Sequence, residues 1–255
     1  MSKGSKVFSV MVIGDNPDKL MEKYDSNITV DKYIKYKYSE SEKMRNNAIK
    51  ILEEIIHGPK KLNLNHFQVD SLKDRLTELK KMTNFSYYQE LTKGYYIDNN
   101  GDAWSDENQN GKWQTYNLGD NFSIPLLLKN GEKTNTALYK DIDWNKMHMQ
   151  NMHTYEVVWD LVHHIIEPSN DMEKTIYKNM KNNVNYFSRF KSKDEYVIHN
   201  CAYWNYAVLS DKGWVDIDDA KNDIEWISTF FDKFCTNLND NDRITIFECT
   251  KDKID

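Results

Sequence analysis

Val7-Phe8-Ser9-Val10-Met11-Val12-Ile13 is a β-branched, apolar run that stops abruptly at Gly14-Asp15-Asn16-Pro17. Such a run bounded by turn residues reads as a strand followed by a turn. At the other end of the chain, Arg243 to Cys249 makes a second strand. With helices and hairpins between them, strands at both ends point to an α+β fold: an antiparallel or mixed sheet covered by amphipathic helices, with the terminal strands as neighbours. An all-α bundle fits this pattern less well.

Working inward, a polar connection carrying Tyr24, Tyr33, Tyr36 and Tyr38 leads to a helix start. Ser39 with Glu42 has capping-box spacing, and Met44, Ala48, Ile51, Leu52 and Ile55 recur at helical intervals until Gly58-Pro59. Val69, Leu72, Leu76 and Leu79 mark a second helix, whose apolar face continues through Phe85, Tyr88 and Leu91 to Gly94. From Tyr95 to Leu128 the pattern changes to short strands. Asn100-Gly101 reads as a type I′ hairpin, and the dipeptide returns at Asn110-Gly111 and Asn130-Gly131. Ile124-Pro125-Leu126-Leu127-Leu128 reads as a buried edge strand. After Asp143, the residues Trp144, Met147, Asn151, Tyr155, Val158, Trp159 and Val162 track one face of a single long helix closed by Pro168. A shorter helix spans Met172 to Met180, and Ser192 with Glu195 caps another start before Tyr196 and Val197. Ala202 to Leu209 and Gly213 to Ile217 read as a hairpin across Ser210-Asp211-Lys212-Gly213, and Ile224 to Leu238 as the last helix. One α+β domain over 1–255 is expected, with a helical insertion at about 39–93. No fixed-period repeat interrupts it.

Composition narrows the function classes. Of 255 residues, 39% are hydrophobic and 29% charged, so a core can form, while 9 Gly and 4 Pro leave little for linkers. The net charge of −6 and the isoelectric point near 5.7 argue against general nucleic-acid binding, which needs a basic footprint. No apolar run approaches a membrane span, and the first residues lack the apolar core of a signal peptide. Cys201, Cys235 and Cys249 are odd in number and follow no CxxC spacing, so neither a disulfide framework nor a zinc site is suggested. A reduced, cytoplasmic protein is expected.

Several of these stretches also carry a resemblance. Phe8 to Pro17, Tyr24-Asp25, Lys112-Trp113-x-x-Tyr116-x-Leu118-Gly119 and Lys140-Asp141-Ile142-Asp143 are similar to segments of a family of uncharacterised bacteriophage proteins. Members of that family often read K-W-D-W-Y-x-I-G-G-R-W in the middle. The resemblance covers the N-terminus, the region from about Tyr95 to Met149 and, more thinly, Cys201-Ala202-Tyr203-Trp204-Asn205-Tyr206. Where the family has Gly-Arg, this chain has Asp120-Asn121. The resemblance implies a phage origin and a host-cell cytoplasmic location, but no activity, because none is assigned to the family.

Chemical constellations are sparse. His148, His153, His163 and His164 lie on or near one predicted helix, but His148 and His153 are five apart, about 140° out of register, and no H-E-x-x-H pattern occurs. Solvated helix-surface histidines explain them. Asp98, Asn100, Asp102 and Asp106 begin like a calcium loop, but Ala103 and Gln109 occupy the positions that need Gly and Glu, so a polar turn is the simpler reading. A buried structural Cys beside Trp204 is the default reading of Cys201; the alternative is a catalytic pair with His199, which would share its face if the segment is extended. Asp216, Asp218, Asp219, Asp223 and Glu225 form an acidic run that a helix N-terminus accommodates; the sharper reading is mimicry of nucleic-acid phosphates.

With 16 Tyr and 7 Trp, the chain is rich in residues suited to interfaces. The expected function is therefore that of a phage accessory protein that binds and inhibits or redirects a host or anti-phage defence protein, such as a CRISPR, restriction or signalling enzyme. Trp104, Trp113, Tyr116, Tyr203, Trp204, Tyr206, Trp214, Asp216, Asp218 and Asp219 are the candidate partner-binding residues. No catalytic residue, metal ligand or cofactor is assigned. A small hydrolase or nucleotide-processing enzyme with a His/Asp pocket is the alternative, and a virion-associated structural protein is another. Homo-oligomerisation is compatible with all three.

Overall fold

The computed structural model describes residues 5–57, 66–119, 123–149, 151–180 and 183–252. The expected helix end at Gly58-Pro59 and the family departure at Asp120-Asn121 lie outside the described residues. The strands are β1 (Ser5–Ile13), β2 (Thr29–Tyr36), β3 (Tyr96–Ile97), β4 (Ala103–Glu107), β5 (Thr115–Leu118), β6 (Leu126–Leu127), β7 (Lys133–Thr134), β8 (Thr136–Leu138), β9 (Ala207–Ser210), β10 (Gly213–Asp216) and β11 (Arg243–Asp252). The helices are α1 (Pro17–Glu22), α2 (Ser41–His57), α3 (His66–Lys81), α4 (Asn84–Leu91), α5 (Trp144–Met147), α6 (Met152–Val162), α7 (Asp171–Met180), α8 (Val184–Phe187), α9 (Lys193–Cys201) and α10 (Asp223–Phe234). The fold is α+β. No helix among the described residues is long and apolar enough to cross a membrane.

The chain divides into two compact units: Met1–Asn27 with Gln109–Asp255, and the continuous stretch Ile28–Asn108. The second unit takes in the expected helical stretch at 39–93 together with three strands.

In the first unit, β1 pairs antiparallel with β11 along its whole length, from Ser5 opposite Asp252 to Ile13 opposite Ile244, so the terminal strands are neighbours. On its other side β1 runs parallel to β9, giving the order β10-β9-β1-β11-β5, with β8 also pairing β11. Alternation sends Phe8, Val10 and Val12 to one face with Met21, Tyr24, Trp113, Phe247 and Cys249. Met11 goes to the other face, where Trp226, Ile227 and Phe230 of α10 pack with Tyr203, Ile244 and Ile246. Both faces are buried, which is why β1 and β11 read as nearly continuous apolar runs. A third cluster joins α6 to α9 through Val158, Trp159, Tyr196 and Val197.

Several sequence expectations shift. The single helix expected from Trp144 to Val162 is broken into α5 and α6, because Met149 and Asn151 take left-handed φ of 60° and 57°. The Met149 N–H donates to the Cys201 carbonyl at 2.9 Å, a tertiary bond that competes with helix continuation. The strand expected from Ala202 begins only at Ala207, because α9 runs to Cys201. The β9–β10 hairpin turns at Ser210–Gly213 as read, with Gly213 at φ 111°. Ile124 to Leu128 yields only the two-residue β6, with Leu126 buried and Ile124 exposed. The last helix stops at Phe234, short of Leu238.

In the second unit, the sheet order is β2-β4-β3, and α2 packs with α3 and α4. The chain first makes a 3-10 turn at Tyr38–Glu40, so α2 starts at Ser41 instead of just after Ser39. The helix read through Leu91 is two, since Thr83 caps α4 by accepting from the Ser86 N–H at 3.0 Å. The Arg45 guanidinium reaches Asn84 and the carbonyls of Leu79 and Met82, satisfying the end of α3. Asn100-Gly101 is a correction in detail: Gly101 has φ 84° but Asn100 has no positive φ, so the turn is not type I′. Asp98 closes it instead, accepting from the N–H groups of Asn100 and Asp102 at 2.9 and 3.0 Å.

Candidate binding surfaces

Seven of the ten sequence-assigned residues cluster about one face of the β10-β9-β1-β11-β5 sheet: Trp113, Tyr116, Tyr206, Trp214, Asp216, Asp218 and Asp219. Trp113 is 5% exposed, with its Nε1 donating to the Met21 carbonyl, so it is a core residue and presents no surface to a partner. Tyr116 stacks edge-on against Trp113 and Phe247 and donates to Asp18 at 2.8 Å. Trp214 packs on Tyr24 at 5.3 Å, and Tyr206 on Phe8 at 4.9 Å.

The acidic residues on this ledge are engaged within the fold. Asp216 is buried and caps the turn Ile217–Asp219, with the Asp219 carboxylate returning to the Asp216 N–H. The Asp216 carboxylate also accepts from Trp214 Nε1 at 2.8 Å and from Lys112 at 3.1 Å. Asp218 accepts from the Tyr206 hydroxyl at 2.7 Å, and Lys6 lies 4.0 Å over the Tyr206 ring. Burial, reinforced by Asp218, pushes the Tyr206 hydroxyl far above its ordinary value. Burial and the neighbouring Lys112 and Lys6 lower Lys251. The ledge is a saturated network. Asp216 in particular is a structural cap, which removes it from any phosphate-mimicking surface.

Tyr203 and Trp204 belong to the opposite face of that sheet. Tyr203 is 2% exposed, its hydroxyl accepting from Asn205 at 2.9 Å, so it too is core. Trp204 is half-buried against the same cluster.

The histidines do not converge. His148 stacks on Phe231 at 3.9 Å, and burial lowers its pKa below the ordinary histidine value. His163 stacks on Trp159 at 3.8 Å, and His153 is exposed beside Glu156. His148 is therefore half-buried and departs from the expected solvated histidine, whereas His163 stays exposed with one ring face on Trp159. No group of three potential metal ligands forms among the described residues. His199 and Cys201 both lie on helical α9, where residues two apart point to different sides. Burial lifts the Cys201 thiol to about 11 and that of Cys235 to about 12, so both are protonated near neutrality, opposite to an activated nucleophile. Asp98 and Asp102 are likewise engaged: Asp98 binds Trp104 Nε1 at 3.0 Å and Asp102 binds the Tyr38 N–H at 2.9 Å.

Trp104 stands apart in the second unit. Its register partners are Ile34 on β2 and Tyr96 on β3, so the three form one cross-strand row. Ala103 and Ser105, its chain neighbours, are buried on the other face. The row itself is open, with Ile34 37% and Tyr96 69% exposed and Trp104 half-buried. The sequence reading found Trp104 and missed Ile34 and Tyr96, which only the strand register aligns.

A second feature is a cleft of about 890 Å³ in the first unit, at the carboxyl ends of the parallel strands β1 and β9. Asp15, Asp211 and Asp242, together with Lys19, Lys212 and Lys233, line it, and no histidine does among the described residues. It therefore lacks the His/Asp composition of the enzymatic alternative. No protein-family model matches the chain, and no curated protein or solved structure matches it either.

Proposed function

We propose that the chain is a binding protein, a phage accessory factor that docks on a host or anti-phage defence protein and inhibits or redirects it. The observation that carries this reading is the open row Ile34–Trp104–Tyr96 on the β2-β4-β3 sheet. Contiguous exposed apolar side chains mark interaction sites, and Trp and Tyr supply most binding energy at such sites. Over half of the exposed large hydrophobic side chains among the described residues lie in Ile28–Asn108. Trp104 is held by its bond to Asp98, so ordering it on binding costs little entropy. Burial of the row would desolvate the nearby Asp98 carboxylate, and Asp106, two residues on, is exposed on the same face. The matching partner is an apolar strip with a basic rim, the charge expected of an enzyme that handles nucleic acid. The phage resemblance of the sequence supports the same reading.

The test is capture from host lysate with tagged wild-type protein and with Trp104→Ala and Tyr96→Ala variants of unchanged circular dichroism. The expected result is one stoichiometric partner retained by the wild type and lost by both variants. A partner retained by both variants excludes this face, and no partner above background sinks the host-factor reading for that host.

A further inference from the structure

The cleft at the ends of β1 and β9 is independent of the aromatic row. Its walls come from opposite faces of the sheet. Lys19 and Leu20 belong to α1, which packs on the Val10 and Val12 face, whereas Lys233 and Phe234 belong to α10, which packs on the Met11 face. Between them the loops Gly14-Asp15-Asn16 and Ser210-Asp211-Lys212 leave two adjacent parallel strands. Crevices outside the carboxyl ends of parallel strands are recurrent ligand sites; here α1 leaves β1 on one face, while β9 turns into β10 and α10 brings its C-terminal end to the other. Gly14 keeps the first loop close: at φ 147°, a Cβ there would lie 3.1 Å from Leu20 Cδ1.

The cleft's cations and carboxylates are unevenly paired. The ammonium groups of Lys19, Lys212 and Lys233 have no ion-pair or hydrogen-bond partner among the described residues. Two of the three carboxylates are engaged: Asp15 lies 3.7 Å from Arg243, and Asp242 accepts from the Asn239 N–H at 2.7 Å. With Arg243 counted, four cations meet three carboxylates at the cleft, on a chain whose net charge is −6, and the three lysine ammonium groups are the ones left without a partner among the described residues. The floor beneath is apolar, formed by Ile13, Val208, Phe234 and Leu238. A volume of about 890 Å³ suits a whole small molecule, far more than a bare anion needs.

We infer that this cleft binds a phosphorylated small molecule of nucleotide size, with its phosphates among Lys19, Lys212 and Lys233 and its ring on the floor that includes Phe234. The lysines supply charge-assisted hydrogen bonds to phosphate oxygens. The side chains of Asn16 and Asn237 are free to read a base edge or sugar hydroxyl.

The experiment is titration of the full chain with ATP, followed by calorimetry and by two-dimensional amide NMR, with adenosine and inorganic phosphate as comparison probes. ATP should bind saturably and more tightly than either comparison probe, with amide shifts concentrated at Gly14, Asp211 and Gly213. Lys212→Ala and Lys233→Ala should each weaken ATP about tenfold, and both sites are exposed, so the fold should survive. Absence of saturable ATP binding, shifts centred elsewhere, or ATP affinity unchanged in the double variant would each overturn the assignment. Phosphate binding as tightly as ATP would also overturn it, by reducing the site to an anion contact.

Discussion

The two sheets of this protein differ in how many of their faces are covered. The β10-β9-β1-β11-β5 sheet is buried on both sides, by α10 on one and by α1 with Trp113 on the other. The β2-β4-β3 sheet buries Ala103 and Ser105 on one side and leaves Ile34, Trp104 and Tyr96 open on the other. Aromatic residues consequently do different work in the two places. In the first sheet Trp113 and Tyr203 are buried in the core; in the second, Trp104 and Tyr96 stand on the open face and are available for contact.

The sharpest way to break this comparison is to empty the doubly covered sheet. Phe230→Ala, at a fully buried site, should lower stability by about 3–5 kcal/mol in urea unfolding. A loss below about 1 kcal/mol would mean that the α10 face is loosely packed. Next, Asp216→Ala removes a cap and strands the Trp214 Nε1 donor, and should cost about 1–3 kcal/mol. An unchanged midpoint would show that the ledge network is dispensable. In the other unit, the Tyr88 hydroxyl lies 2.9 and 2.8 Å from the carbonyls of Tyr36 and Gly101, so Tyr88→Phe should cost about 1–2 kcal/mol. That would place the covered side of β2-β4-β3 well above its open side.

A smaller effect concerns pH. Burial against Phe231 depresses the pKa of His148 in the folded state, with Asp232 opposing the shift. The unfolded chain therefore takes up the proton first, and this contribution to stability is complete above about pH 6.5 and is lost as pH falls below it. Melting temperatures measured from pH 7.5 down to 5 should decline less steeply in His148→Gln than in the wild type; parallel slopes would remove His148 from the account. The smallest effect belongs to the open face: Trp104→Ala should change stability by under about 1 kcal/mol while abolishing partner capture. A large loss of stability would show that Trp104 is a core residue of its unit.

Legibility followed the same division. The β1 and β11 runs were evident because burial on both faces demands unbroken apolar sequence. The candidate site was only partly visible. Composition singled out Trp and Tyr, but exposure separates Trp113 and Tyr203 from Trp104, and exposure is not written in residue type. The acidic run at 216–219 was visible as charge, yet Asp216 proved to be a cap held by Trp214 and Lys112, the latter 104 residues away. His199 and Cys201 were paired on an assumed extended segment, and helical α9 dissolves that pairing.

By itself, the sequence determined the α+β class and the terminal strands, through the pattern of apolar residues, and the turn at Ser210–Gly213 and the helix start capped by Ser192, which rest on interactions within a few residues. Tertiary structure alone decided the parallel pairing of β1 with β9, the break at Met149 and Asn151, and the alignment of Ile34, Trp104 and Tyr96. Each depends on which distant backbone groups meet, and side-chain alternation converts that register into burial or exposure.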